Sequence, residues 1–483
     1  VPEVLQSSLS SNTKIKEAFM KIDVKRFLLF LGFLLSICFF SPFLCSIDTN
    51  ADTTSPHFDD YFIDETMRID FYQIADKNNE WITLDRVYRQ GSWAGNPKSL
   101  FDPCQSGRYY AKIFDVESKR LIFSKGFSSY CSEYVTTEMA AKGIKRTFHE
   151  TALIPFPKNK VLFKLERRDR ENKLHSIFEV EIDPKSIDIN KEPLPGDVKV
   201  FNIHQSGDPH FCADLAFLAE GYTAAEEENF KEDLKKIADL LLNTAPYKNR
   251  KDRINIYGVF KASVETGTDE PVEGIYRNTA LGTTFNALGL DRYLLTEENR
   301  AVRDMAAHVP YDTIAIIVNH KRYGGGGMFN EYCAFTMNKE WSGFLFLHEF
   351  GHSFGGLADE YYLGSVAYNE FYPPGIEPTD PNITALPDPM NLKWKHLVKK
   401  GTAIPTDWEK DKYEKMDSKS KQAHLEKEKY KGVVGAFEGA GYASKNLYRP
   451  TINCIMFSRE LRPYCPVCEE FIDRVIDHYT QSK

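Results

Sequence analysis

The rhythm of apolar residues changes once along this chain, and that change limits what it can fold into. From about Thr66 to Ile189, apolar and polar residues alternate in short runs rich in β-branched and aromatic side chains, as in Met67-Arg68-Ile69-Asp70-Phe71-Tyr72 and Ile177-Phe178-Glu179-Val180-Glu181-Ile182. A period of two turns one face of each run to a core and the other to water, so residues 58–190 are predicted to form an antiparallel β-sandwich. Asn190 to Asp197, with Pro193 and Pro195, breaks the pattern and reads as a linker. Beyond it, short apolar strands at 214–219, 254–260 and 313–318 alternate with helical stretches near 223–242 and 297–307. Strands interleaved with helices predict an α/β domain with a mixed sheet over 198–483, which makes the whole chain α+β and multidomain. The Lys- and Glu-dense segment 409–432 is expected to be a solvated helical insertion.

The 483 residues are enough for two or three cores, and 42% hydrophobic with 27% charged is the balance of a soluble globular chain. A net charge of −8 gives no basic footprint for nucleic acid. Lys21, Lys25 and Arg26 precede an apolar run from Phe27 to Phe40, so 20–46 is predicted to be an export signal. The run is short of the ~20 residues a spanning helix needs, which makes an uncleaved anchor the weaker reading. Cys45 would suit a lipid anchor, but Leu44 before it is bulky for such a signal. Residues 1–19 read as a misread upstream segment. The expected location is therefore periplasm, cell surface or medium, with membrane contact only through a retained or lipidated N-terminal segment. Seven cysteines follow the signal, an odd number. Cys465-Pro466-Val467-Cys468 has the spacing of half a zinc ribbon or of a redox pair. No second such pair completes a ribbon, so a local disulfide or one to Cys454 is expected.

The chemistry concentrates in one segment. Trp341 to Phe354 is predicted to be a buried helix that begins with Phe344-Leu345-Phe346-Leu347. Residues four apart share a helix face, so His348 and His352 can present two imidazoles to one zinc ion, while Glu349 stands beside the open position and takes a proton from water. Two histidines and a glutamate on the least polar helix of the chain would be costly without a metal. A catalytic zinc needs a third protein ligand. Gly355-Gly356 can end the helix and turn the chain back, bringing Asp359 within reach as that ligand, with Glu360 the alternative. Asn453-Cys454-Ile455-Met456-Phe457 resembles a methionine turn that sets Met456 beneath the histidines. Gly325, Gly326 and Gly327 lie in a glycine run that either pairs with an extended substrate strand or forms a flexible hairpin loop.

Together these segments resemble the bacterial zinc metallopeptidases named for immunoglobulin A peptidase, a metzincin-like family. The resemblance rests on His348 through Tyr361, on Asp214-Leu215-Ala216-Phe217-Leu218-Ala219-Glu220-Gly221-Tyr222-Thr223, on the Tyr323 to Gly327 run, and on Phe437 to Tyr442 leading into the Met456 turn. The segment Ile82 to Pro97 is similar to the family's N-terminal β domain. Where glycine-containing zincins usually carry a histidine ligand this chain has Ala358, and the second glycine shifts the role to Asp359. The resemblance implies one catalytic zinc held by His348, His352 and Asp359, with Glu349 as general base and acid. The expectation is an exported zinc-dependent peptidase acting on a protein or peptide, a host glycoprotein among the candidates. Tyr361, Tyr362 and Tyr464 are candidates to stabilise the oxyanion. The alternative is an exported protein- or glycan-binding protein with a non-catalytic zinc site.

Overall fold

The computed structural model describes residues 56–337, 339–363 and 371–481. The export signal expected over 20–46 and the segment before it lie outside the described residues. Among the described residues no helix is long and apolar enough to cross a membrane.

The alternating half of the sequence forms two four-stranded sheets. One runs in the order Arg146–Pro157, Phe62–Ala75, Glu80–Gln90, Ile189–Asn190, and the other Leu121–Phe127, Tyr109–Asp115, Val161–Arg168, Leu174–Ile182. All neighbours are antiparallel except the short Ile189–Asn190 strand, which pairs in parallel with Glu80–Gln90. The sheets face each other across a core that includes Ile69 and Phe71 from one and Ile113, Phe163 and Leu165 from the other. Val161, Phe163 and Leu165 are buried while Leu162 and Lys164 between them are half-buried, as the two-residue period requires.

One strand departs from simple alternation. Phe62–Ala75 buries every residue from Met67 to Phe71, because its second face meets the helix Asn299–Ala306 instead of water. There Arg68 pairs with Asp70 at 2.6 Å and reaches Asp304 at 2.5 Å. Two short helices, Tyr130–Tyr134 and Glu138–Ala141, interrupt the β-rich region. They send Tyr130, Cys131 and Tyr134 into the core of the C-terminal half.

That half is built on a six-stranded mixed sheet in the order Gly325–Met328, Tyr332–Thr336, Thr313–Val318, Ala213–Glu220, Ile254–Phe260, Lys199–His204. Its four central strands are parallel and the two outer ones antiparallel. Ala213–Glu220, Ile254–Phe260 and Thr313–Val318 are buried along their whole length, which is why they appear in the sequence as mainly apolar runs, with Asp214, Glu220 and Asn255 as buried polar exceptions. The helix Ser342–Ser353 lies on this sheet, with the Phe346 ring 5.6 Å from Phe217 and 5.1 Å from Phe335. The lysine-rich insertion divides into Lys410–Glu414 and Ser418–Lys427, with Asp417 accepting from the Ser420 N–H to cap the second helix.

Candidate metal centre

The helix Ser342–Ser353 holds its place by an apolar body and exposes its chemistry at one end. Phe344 through Leu347 and Phe350 are buried. His348, Glu349 and His352 turn to a cleft on the other side. The helix stops at the double glycine. Gly356 adopts a left-handed φ of 59°, which a side chain would strain, and its N–H donates to the His352 carbonyl at 3.0 Å. The Leu357 N–H then donates to the Gly351 carbonyl at 3.1 Å. This reversal carries Asp359 back over the helix.

Three ligand atoms converge as a result. His348 Nε2 lies 3.1 Å from Asp359 Oδ1, His352 Nε2 lies 3.3 Å from the same oxygen, and the two imidazole nitrogens are 3.3 Å apart. Ligands about 2.0–2.1 Å from a tetrahedral zinc stand roughly 3.3 Å from one another, so the triangle fits such an ion. Asp359 Oδ1 is buried and lacks a hydrogen-bond donor, the condition of an atom whose natural partner is a cation. Each imidazole has its other nitrogen tied to a backbone carbonyl, His348 Nδ1 to Ile455 at 3.1 Å and His352 Nδ1 to Leu357 at 2.6 Å. Those contacts fix the tautomer that leaves Nε2 free to ligate. Three protein ligands leave one position of a tetrahedron open.

The electrostatics describe the same demand for positive charge. Burial opposes ionisation of Asp359, yet the imidazoles of His352 and His348 hold its carboxyl well below the usual carboxylate range. Burial likewise opposes charge on His352, but Asp359 outweighs it and lifts the imidazole to about 10.

Several neighbours position these groups. The Tyr442 hydroxyl donates to Asp359 Oδ2 at 2.5 Å, which leaves Oδ1 directed at the histidines. Met456 is fully buried beneath the helix, and a Cβ on Gly351 would come within 2.9 Å of its sulfur. The Tyr361 ring lies over His348 with centroids 6.4 Å apart. Glu349 is half-buried at the cleft, and its burial raises its carboxyl above the ordinary value. Arg292 lines the same cleft, close enough that Glu349 and Asp359 both favour its charge. The cleft continues to Arg108 and Arg168 of the β-sandwich, so both halves of the chain form its walls.

His348, His352, Asp359, Glu349 and Met456 are brought together. Glu360 turns away from the histidines toward Cys465 and Cys468. Of the three tyrosines, only Tyr361 faces the cleft. Tyr464 donates to the Leu347 carbonyl behind the helix, and Tyr362 packs on Phe457. The glycine run is an ordered strand, not a loop, and its outer edge is partly covered, since the Leu294 N–H donates to the Gly325 carbonyl at 3.2 Å. Gly325 and Gly327 face the helix Ser342–Ser353, where added Cβ atoms would strike Glu349, whereas Gly326 faces Tyr293 and Leu295. The expected disulfide among Cys454, Cys465 and Cys468 is not formed, and all three thiols are free. Tyr442 and Arg292 were not foreseen. Tyr442 lies in the Gly439-Ala440-Gly441-Tyr442 turn, but nothing in that turn announces its partner, and Arg292 sits in a loop without periodicity.

Comparison with known families agrees with this layout. The family described as IgA Peptidase M64 matches residues 201–424 and 415–476, which carry the helix, the reversal and the Met456 turn. The family described as Peptidase M64 N-terminus matches residues 57–179, the β-rich segment. No curated protein matches the chain. With its N-terminal and catalytic segments both matched, this chain belongs to the IgA peptidase M64 family, a family of peptidases.

Proposed function

We propose that this protein is an exported zinc-dependent endopeptidase that hydrolyses peptide bonds in protein substrates. The observation that carries the proposal is the triangle of His348 Nε2, His352 Nε2 and Asp359 Oδ1, 3.1–3.3 Å on a side, beside the Glu349 carboxyl. When bound there, zinc supplies a Lewis acid for the scissile carbonyl and lowers the pKa of water toward about 7. Glu349 then acts as general base toward the attacking water and returns the proton to the leaving amine. Its raised pKa suits both halves of that cycle. Tyr361 and Arg292 flank the cleft where negative charge develops on the carbonyl oxygen, and both can donate to it. Gly325 and Gly327, bare of side chains, let their strand lie close against the helix beside Glu349 and His352.

The helix-borne histidine pair, glycine reversal, acidic third ligand and methionine floor support a metzincin-like reading. A site with three protein ligands and one open position favours catalysis over the purely structural zinc that a binding protein would carry. Export rests on Lys25, Arg26 and the apolar run after them.

The reading is tested by digesting casein before and after dialysis against a chelator. Digestion should cease on dialysis and return on adding zinc. Undiminished digestion by the metal-free protein would contradict it.

A further inference from the structure

We propose that this protein holds a second zinc ion, a structural one, bound by the Sγ atoms of Cys454, Cys465 and Cys468 and by Oε1 of Glu360. These four groups come from three separate parts of the chain and meet in the interior. Cys465 Sγ lies 3.5 Å and Cys454 Sγ 3.9 Å from Cys468 Sγ. Glu360 Oε1 is 3.3 Å from Cys468 Sγ and 3.9 Å from Cys465 Sγ. For Zn–S near 2.3 Å and Zn–O near 2.0 Å, a tetrahedron sets sulfurs about 3.8 Å apart and sulfur about 3.5 Å from oxygen, which is the spacing found. A disulfide requires sulfurs at about 2.05 Å, so none of these pairs is bonded.

The chemistry of the donors favours zinc over the alternatives. Three thiolates and one carboxylate close all four positions, the pattern of a structural site, whereas the histidine site keeps one open. An iron–sulfur cubane would hold its thiolates much farther apart than one ion does. A redox pair must be reached by a partner thiol, and all three cysteines are buried, Cys468 completely. Glu360 is also fully buried, and its Oε2 has no hydrogen-bond partner. Leaving such a carboxyl without a cation is expensive. The buried guanidinium of Arg449 is near enough for its charge to favour the Glu360 carboxylate, but its hydrogen bonds go to the carbonyls of Glu438, Gly439 and Ile452. Groups outside the four ligands are placed to support them. The Cys465 N–H donates to Cys454 Sγ at 3.3 Å, and Asn382 Nδ2 donates to Glu360 Oε1 at 3.1 Å. Loading the site requires the three cysteines and Glu360 to bind as anions, so any protons they carry are released.

The position of the site explains what it would do. Glu360 directly follows Asp359, and its N–H donates to the Met456 carbonyl at 2.8 Å. Cys454 directly precedes Ile455, whose carbonyl orients His348. Cys465 and Cys468 begin the C-terminal helix Pro466–Thr480. One ion would therefore clamp the third ligand of the catalytic site, the floor beneath its histidines and the last helix to a single point.

Zinc content of the purified full chain, by mass spectrometry of the metal, tests the proposal. The wild type should carry two ions per chain, and the His348→Ala/His352→Ala double variant should keep one. The cobalt(II)-loaded double variant should show thiolate-to-metal charge-transfer absorption, which imidazole and carboxylate ligands cannot produce. On the wild type, a mercurial that titrates thiols should release the retained ion, so the test does not depend on whether cysteine variants fold. One ion per wild-type chain that disappears in the double variant would overturn the proposal. So would a disulfide between any two of Cys454, Cys465 and Cys468, located by peptide mapping of the unreduced chain. A single ion that survives in the double variant would instead uphold this site and count against the catalytic zinc.

Discussion

At the residue scale, His348 and His352 share one helix face because they stand four positions apart, a local property that holds whatever the rest of the chain does. Choosing Asp359 over Glu360 needed the structure, since adjacent carboxylates point to opposite sides of an extended segment and only the fold says which side the metal helix occupies. Tyr442 was illegible for the same reason, being 83 residues from its partner. Its hydroxyl holds Asp359 Oδ2, and loss of such a supporting contact typically weakens metal affinity 10–100-fold. Tyr442→Phe should therefore lower zinc affinity by about that factor while leaving the circular dichroism spectrum intact, as read by competition with a chromogenic chelator. An unchanged affinity would show that Asp359 is positioned without it.

At the scale of elements, boundaries were clearest where burial is complete. Ile254–Phe260 and Thr313–Val318 were legible to the residue, because strands buried on both faces need mostly apolar sequence. Tyr130–Tyr134 was not, since Tyr130, Tyr134 and Val135 favour strands and only their burial in the C-terminal core makes a helix of them. The glycine strand shows how two elements share a tight contact. A Cβ on Gly327 would come within 2.4 Å of the Glu349 carbonyl, and backbone cannot yield as a side chain can. Gly327→Ala should push strand from helix, costing about 1–3 kcal/mol of stability as overpacking does. Urea denaturation measures this, and a variant as stable as the parent would contradict the close approach.

For the whole molecule, the sequence divided the chain by rhythm but could not show how firmly its parts join. The sandwich and the catalytic sheet share Arg68–Asp304 and the walls of one cleft, contacts between residues more than 200 positions apart. The interior of the catalytic sheet also carries an acidic pair. The Asp214 N–H donates to Asp312 Oδ2 at 2.9 Å, and burial, reinforced at Asp214 by Asp312, lifts both carboxyls well above their usual range. A carboxyl whose folded pKa is raised favours the folded state only while protonated. Stability is therefore greatest below the unfolded value near 4, and falls as pH climbs toward the raised folded values. Asp312→Asn, which keeps an acceptor for the Asp214 N–H, should flatten that decline. Melting temperatures from pH 5 to 9 would reveal it, and parallel curves for variant and parent would refute it.

The central claim is that Glu349 moves the proton while His348, His352 and Asp359 hold the metal. Glu349→Ala separates the two roles. Zinc content and melting temperature should stay at the parent's values, and the rate of peptide hydrolysis should fall by about 10²–10⁴-fold, the usual contribution of a general base. A variant that keeps its zinc and still cleaves at the parental rate would contradict the account.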